Sequence, residues 1–198
     1  MPKNTLLSTN YTVEQYENLV SVKPPNKAKI ADFFIERFTE RYITPIRSAP
    51  KNSKHGFCTM AVSCLMIEAL ESFWDGLEET PRGKGACVFC KFFDRCKRFH
   101  SLRAYARQFY TNVRCGILHQ GETTGGWTVH RGKNGKLLFD ANGLTINATK
   151  FHDALSQEVV DYANLIKSDN CDPVRWKNFC KKMNFICGHS SKKNELAR

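Results

Sequence analysis

Residues 57–79 constrain this chain more than any other stretch. Phe57, Met60, Ala61, Val62, Cys64, Leu65 and Ile67 make the first half apolar nearly all round, and Met66, Leu70, Phe73 and Leu77 continue at helical spacing. Such a pattern predicts a central helix buried on most sides. Glu71, Asp75 and Glu78 mark its expected wet face, whereas Glu68 falls within the apolar half and needs a partner if buried. A helix of this kind must be covered by several others, so the chain is expected to be mainly α.

The covering elements can be read from spacing and punctuation. Thr12 to Gln15 has the form of a capping box and opens a helix over 12–20, which Pro24-Pro25 ends. Asn26 caps a helix to about Ile43 with the stripe Ile30, Phe34, Phe38 and Tyr42, and residues 44–56 read as a loop. Residues 90–113 predict one long amphipathic helix, with Phe92, Cys96, Phe99, Leu102, Ala106, Phe109 and Val113 inward. Its other faces carry Lys91, Arg95, Lys97, Arg98, Arg103 and Arg107 against the single acid Asp94. The period then shortens. Trp127–Arg131 and Lys136–Asp140 flank Gly132–Gly135 as a β-hairpin, and Leu144–Asn147 adds a short strand. Asn147 or Thr149 starts a helix burying Leu155, Val159, Tyr162 and Ile166. Asp172-Pro173 opens a last one with Trp176, Phe179, Cys180 and Met183 on one side.

No repeat and no linker stands out. The 198 residues therefore predict a single domain, with a core over about 26–186, a hairpin insertion over about 126–147 and a polar tail over 188–198. No apolar run is expected to reach membrane-spanning length, and the N-terminus lacks a signal peptide's apolar core. The expectation is a cytoplasmic protein with no membrane partner. A net charge of +11 and a pI near 9.3 favour a polyanion, with nucleic acid first. The nine cysteines, an odd number without an export signal, read mostly as buried thiols.

The informative stretch runs from Phe109 through Arg114 to His119 and Thr123. RNA carries its own nucleophile, the 2′-hydroxyl, so cleaving it needs a proton-transfer group and positive charge on the phosphoryl oxygens. Histidine titrates near neutrality, and arginine binds phosphate oxygens with a permanently charged planar fork. Such chemistry needs no metal and no cofactor. It leaves a 2′,3′-cyclic phosphate and a 5′-hydroxyl. On a regular helix Arg103, Arg107 and Arg114 share one face, and with Lys91 and Arg95 they would guide a phosphate chain. Five residues further, His119 would point about 140° away from Arg114. Either Gly116 distorts the helix or the working pair is completed across a dimer.

The arginine and histidine with four residues between them, after a helix ending in aromatics, resemble the R-x4-6-H motif of the HEPN superfamily. The order Phe57–Thr80, Phe92-Phe93, Val113–His119 and Gly126-Trp127 also resembles an uncharacterised bacterial HEPN subgroup, over roughly residues 57–166. The resemblance implies a HEPN-like helical bundle and an endoribonuclease with Arg114 on the phosphate and His119 moving the proton. It further implies a homodimer with two motifs face to face, Glu68 as an orienting acid, and a setting in defence or toxin–antitoxin systems with an antitoxin or defence partner. Active members often carry a polar residue after the arginine, where this chain has Cys115.

Two other readings stay open. One is a non-catalytic HEPN scaffold that binds RNA or protein. The other is a zinc-stabilised RNA-binding module, because Cys90, Cys96 and His100 have zinc-finger-like spacing with Cys87 as a fourth ligand. Cys171, Cys180, Cys187 and His189 have no ligand spacing, and Cys58 and Cys64 read as inert thiols inside the central helix. Gly121 to Gly126 lacks the Gly-Lys-Ser/Thr of a phosphate loop.

Overall fold

The computed structural model describes residues 1–50, 52–132, 137–168 and 171–188. The protein is mainly helical with two small sheets. The polar tail expected over 188–198 lies outside the described residues apart from Gly188, as do His189 and most of the expected 132–135 turn.

The chain divides into two compact units, and neither is continuous in sequence. The first comprises Met1–Arg41, Ser72–Glu79 and Val159–Arg198, and the second Tyr42–Glu71 and Thr80–Glu158. Of the four places where the chain passes between them, two fall inside twenty-residue helices, α4 (Gly56–Asp75) and α8 (Ala148–Lys167), one inside a π-helical segment (Thr39–Ile43) and one in the loop after Glu79. A boundary inside a helix leaves no change in composition, which is why the sequence suggests one domain.

In the first unit an unforeseen hairpin, β1 (Leu6–Ser8) and β2 (Tyr11–Thr12), precedes α1 (Val13–Ser21) and α2 (Lys27–Phe38). The capping box at Thr12 forms as expected, with Gln15 N–H donating to the Thr12 hydroxyl at 3.2 Å and Gln15 accepting from the Thr12 N–H. Asn26 caps α2. The core is aromatic. Phe34 lies 4.7 Å from Phe38, 5.0 Å from Phe73, 5.1 Å from Tyr162 and 5.9 Å from Phe179. Phe179 belongs to α9 (Pro173–Ile186), capped by Asp172.

The second unit begins with α3 (Thr44–Arg47), so part of the 44–56 stretch is helix and not loop. The single helix expected over 90–113 is interrupted. α5 (Gly85–Arg95) ends where Cys96 turns extended, and a 3-10 helix (Lys97–Tyr105) follows. Next come α6 (Ala106–Gln108), a π-helical segment (Phe109–Cys115) and α7 (Gly116–Gln120). The apolar stripe is nevertheless buried at every position. Its repeated three-residue steps, Cys96–Phe99–Leu102, match the 3-10 period and not 3.6. Phe93, Phe99 and Phe109 pack with Phe151 of α8 in the core of this unit.

The small sheet corrects the hairpin. β3 (Thr128–His130) does not pair with β4 (Phe139–Asp140). Instead β5 (Thr145–Asn147) lies between them, parallel to β3 and antiparallel to β4. The central place goes to β5 because Ile146 is fully buried and Asn147 caps α8 while donating to the Gly132 carbonyl at 2.9 Å.

Helix α4 needs two corrections. By length and composition it could cross a membrane, contrary to the expectation that no run would; 56% of its apolar window is buried within the protein, as in a core helix. Its wet face is also misassigned. Glu71 is buried and ion-paired with Arg95, whereas Cys58 and Leu65 are exposed and Ala61, Val62 and Ala69 half-buried. Those five residues share one arc of the helix, so its open face is apolar.

Buried His152 of α8 titrates well below its ordinary 6.5, at about 4, because burial and then the Arg47 charge oppose its protonation more than Asp153 and the Ile43 carbonyl favour it. The unfolded chain therefore binds the proton first. This contribution to stability is complete above pH 6.5 and is lost as pH falls towards 4, on the order of 3 kcal/mol. Denaturant titrations across that range are expected to lose this slope in His152→Leu and keep it in the parent protein.

Candidate functional site

The end of the broken helix brings the predicted pair together. A π-turn holds an extra residue per turn, which changes the direction of everything after it. Phe109 and Val113 stay buried across this turn, and Arg114 follows near its end. Arg114 Nη1 lies 3.4 Å from His119 Nε2 within one chain. A regular helix would have splayed the two, and the distortion expected at Gly116 begins before it, at Phe109.

Three contacts fix the guanidinium. Its Nε–H donates to Glu68 Oε1 of α4 at 2.8 Å, with Arg114 19% and Glu68 20% exposed. The guanidinium carbon sits 5.5 Å from the centre of the Tyr110 ring, four residues earlier, a cation–π arrangement. His119 is the third contact. Burial alone would lower the Arg114 pKa, but the Glu68 hydrogen bond and charge, with help from Tyr110 and Cys115, raise it. Burial and then the Cys115 hydrogen bond push the Tyr110 hydroxyl up as well. Arginine cannot accept, so in the 3.4 Å contact His119 Nε2 is the acceptor and the ring proton sits on Nδ1. Of the five guanidinium N–H groups, Glu68, His119 and Cys115 each engage one, which leaves donors for phosphoryl oxygens.

Glycines shape the surroundings. A side chain at Gly116 would meet the Glu122 carbonyl, so its absence lets the following loop fold back against α7. Gly121 (φ 72°) ends the helix in the left-handed conformation that favours glycine. Thr124 then hangs the loop on Asn112 through its N–H and hydroxyl, both at 3.0 Å. Gly85 lies so close to Tyr110 that any Cβ there would strike the phenol ring. Sequence reasoning missed Tyr110, Asn112 and Gly85. The four-residue step from Tyr110 to Arg114 was the one signal available.

The remaining predicted residues behave differently. Arg103, Arg107 and Arg114 stand in segments of three different periods, so the single basic face does not follow. Arg95 is engaged with buried Glu71, and Arg103 pairs with Asp94. Lys91 and Arg107 are exposed. Cys87, Cys90, Cys96 and His100 do not assemble, and no group of three or more metal-ligating side chains forms among the described residues. The extended break at Cys96 is the cause. It sends Cys96 into the core, where burial raises its pKa, while His100 stays exposed. Cys64 is buried with a raised pKa, but Cys58 is exposed and not within the core.

No family model, curated protein or solved structure matches the chain.

Replacing Gly85 with Ala forces Tyr110 aside. Gly85→Ala is expected to cost about 1–3 kcal/mol, and the cost should shrink in a Tyr110→Leu background because both changes act on one ring. Urea unfolding of the single and double variants measures the coupling.

Proposed function

We propose that this chain is a metal-independent endoribonuclease of the HEPN type. The observation that carries the proposal is the contact of Arg114 with His119 in a half-open setting, with Glu68 holding the guanidinium by its Nε. Fixed at Nε, the remaining N–H groups of Arg114 serve the non-bridging oxygens of a phosphodiester and the charge that builds on them. His119, neutral at Nε2, takes the proton of the 2′-hydroxyl, and the 5′-oxygen leaves with a proton returned to it. A phosphoryl group entering between the two side chains replaces the long 3.4 Å contact with shorter, charge-assisted bonds. The net charge of +11, with exposed Lys91 and Arg107, favours RNA as the polyanion. A cytoplasmic setting and a role in bacterial defence or toxin–antitoxin systems, with an antitoxin or other defence partner, belong to this reading through the HEPN resemblance alone.

Labelled RNA incubated in EDTA is expected to yield 2′,3′-cyclic phosphate ends. Arg114→Ala and His119→Ala should each reduce the rate by a factor on the order of 100 or more with folding intact. Undiminished cleavage in either variant removes that residue from the mechanism.

The HEPN reading also includes a homodimer. The apolar arc of α4, Cys58, Ala61, Val62, Leu65 and Ala69, borders Glu68 on the same helix and supports it. Leu65→Glu is expected to turn a dimer into monomers in sedimentation velocity. A parent protein that sediments as a monomer at all concentrations removes the dimer from the proposal.

One feature favours a second reading, a non-catalytic RNA-binding scaffold. Arg114 already occupies His119 Nε2, the atom that must take the proton. Tight RNA binding without cleavage in the same assay would select it.

A further inference from the structure

A second site lies within the unit formed by 42–71 and 80–158. A cavity of about 950 Å³ opens at the start of α4, large enough for a nucleotide-sized ligand. Among the described residues, its walls bring together Arg47, Lys54 and Arg131, against one acid, Asp153. Arg47 and Asp153 pair at 3.3 Å, so the remaining balance is positive. Gly56 and Phe57, the first residues of α4, also line it. The first N–H groups of a helix lack intrahelical partners, and the first turn of α4 carries no acid to offset its positive end.

Two histidines facing this cavity have their protons fixed by the same device. Ser63 donates to the Thr59 carbonyl at 2.7 Å and lies 3.2 Å from His152 Nδ1. Ser53 donates to the Pro50 carbonyl at 2.7 Å and lies 2.6 Å from His55 Nδ1. A carbonyl can only accept, so each serine spends its proton there and must accept from the imidazole. Nδ1 therefore carries a proton in both rings. His152 is 2% exposed, and its Nε2 makes no hydrogen bond. The Ile43 carbonyl lies within reach of this ring and its Nε2 has no exposed surface, so His152 forms part of the cavity wall.

We propose that this cavity binds a small phosphorylated molecule, with the phosphate at the cationic end beside Lys54 and the start of α4. Neither Arg114 nor His119 lines the cavity, so the site is independent of the proposed nuclease centre. Sugar phosphates and nucleoside phosphates share this chemistry and differ in whether a base is also held.

Isothermal titration at pH 8 tests it with ribose 5-phosphate, adenosine 5′-monophosphate, inorganic phosphate and adenosine. Both phosphate esters are expected to bind more tightly than inorganic phosphate, and adenosine not to bind. Tighter binding of adenosine 5′-monophosphate than of ribose 5-phosphate identifies a nucleoside phosphate, and equal binding a sugar phosphate. Lys54→Ala, at an exposed position that does not threaten folding, should weaken both esters, whereas Lys167→Ala, at another exposed position, should change neither. Absence of binding by either ester at millimolar concentration overturns the proposal. So does binding that survives Lys54→Ala undiminished, or that falls equally in Lys167→Ala, since that marks attraction to net charge alone.

Discussion

Glu68 accepts the Nε–H of Arg114 at 2.8 Å, and the geometry of the candidate active site depends on that bond. It ties α4, the most apolar helix in the protein, to the end of the irregular segment 97–120. A half-buried guanidinium without a carboxylate would carry an uncompensated charge, and a half-buried carboxylate without a guanidinium the same. Together they hold Arg114 over the Tyr110 ring and within reach of His119. An arginine fixed at its Nε still offers the outer nitrogens of its fork, the ones best suited to paired phosphate oxygens.

Changes of helical period prepare this arrangement. Between Gly85 and Gln120 the backbone passes through α, 3-10, α, π and α geometry, and every member of the apolar stripe stays buried. Burial of these side chains is worth roughly 1.5–3 kcal/mol each, more than the cost of poorer hydrogen-bond geometry in short 3-10 and π turns. The stripe therefore sets the period, and not the reverse. One result is that Arg114 and His119 share a direction no regular helix would give them. Another is that the zinc-like spacing around Cys96 comes to nothing, because the break at that residue separates its neighbours.

The open arc of α4 and the cavity at its start are two consequences of using one helix for several tasks. Its buried side must accept Glu71, and Arg95 meets that need. Its N-terminal end faces a cavity lined by two histidines with fixed protons. Its open side carries Cys58 and Leu65, side chains that water does not favour. These features lie at different ends and faces of a single element, so substitutions at Lys54, Leu65 and Glu68 act on separate properties.

Capping boxes, N-caps and apolar spacing are local, and they were legible. Thr12, Asn26, Asn147 and Asp172 each cap a helix, and the stripes through Phe109 and Val159 are buried throughout and that through Phe34 as far as Phe38, because short-range hydrogen bonding and the need to bury apolar groups act through neighbours in sequence. The types of residue at the candidate site, Arg114, His119 and Glu68, were legible for the same reason: their chemistry is carried by the side chain itself. Long-range competition decided the rest. Whether Glu71 faces water or Arg95, whether β3 pairs with β4 or with β5, and whether a five-residue step splays or joins two side chains all depend on groups distant along the chain. A period of 3.6 is the default for an isolated helix, and only packing against other elements shows where burying the stripe requires 3.0 or 4.4 instead.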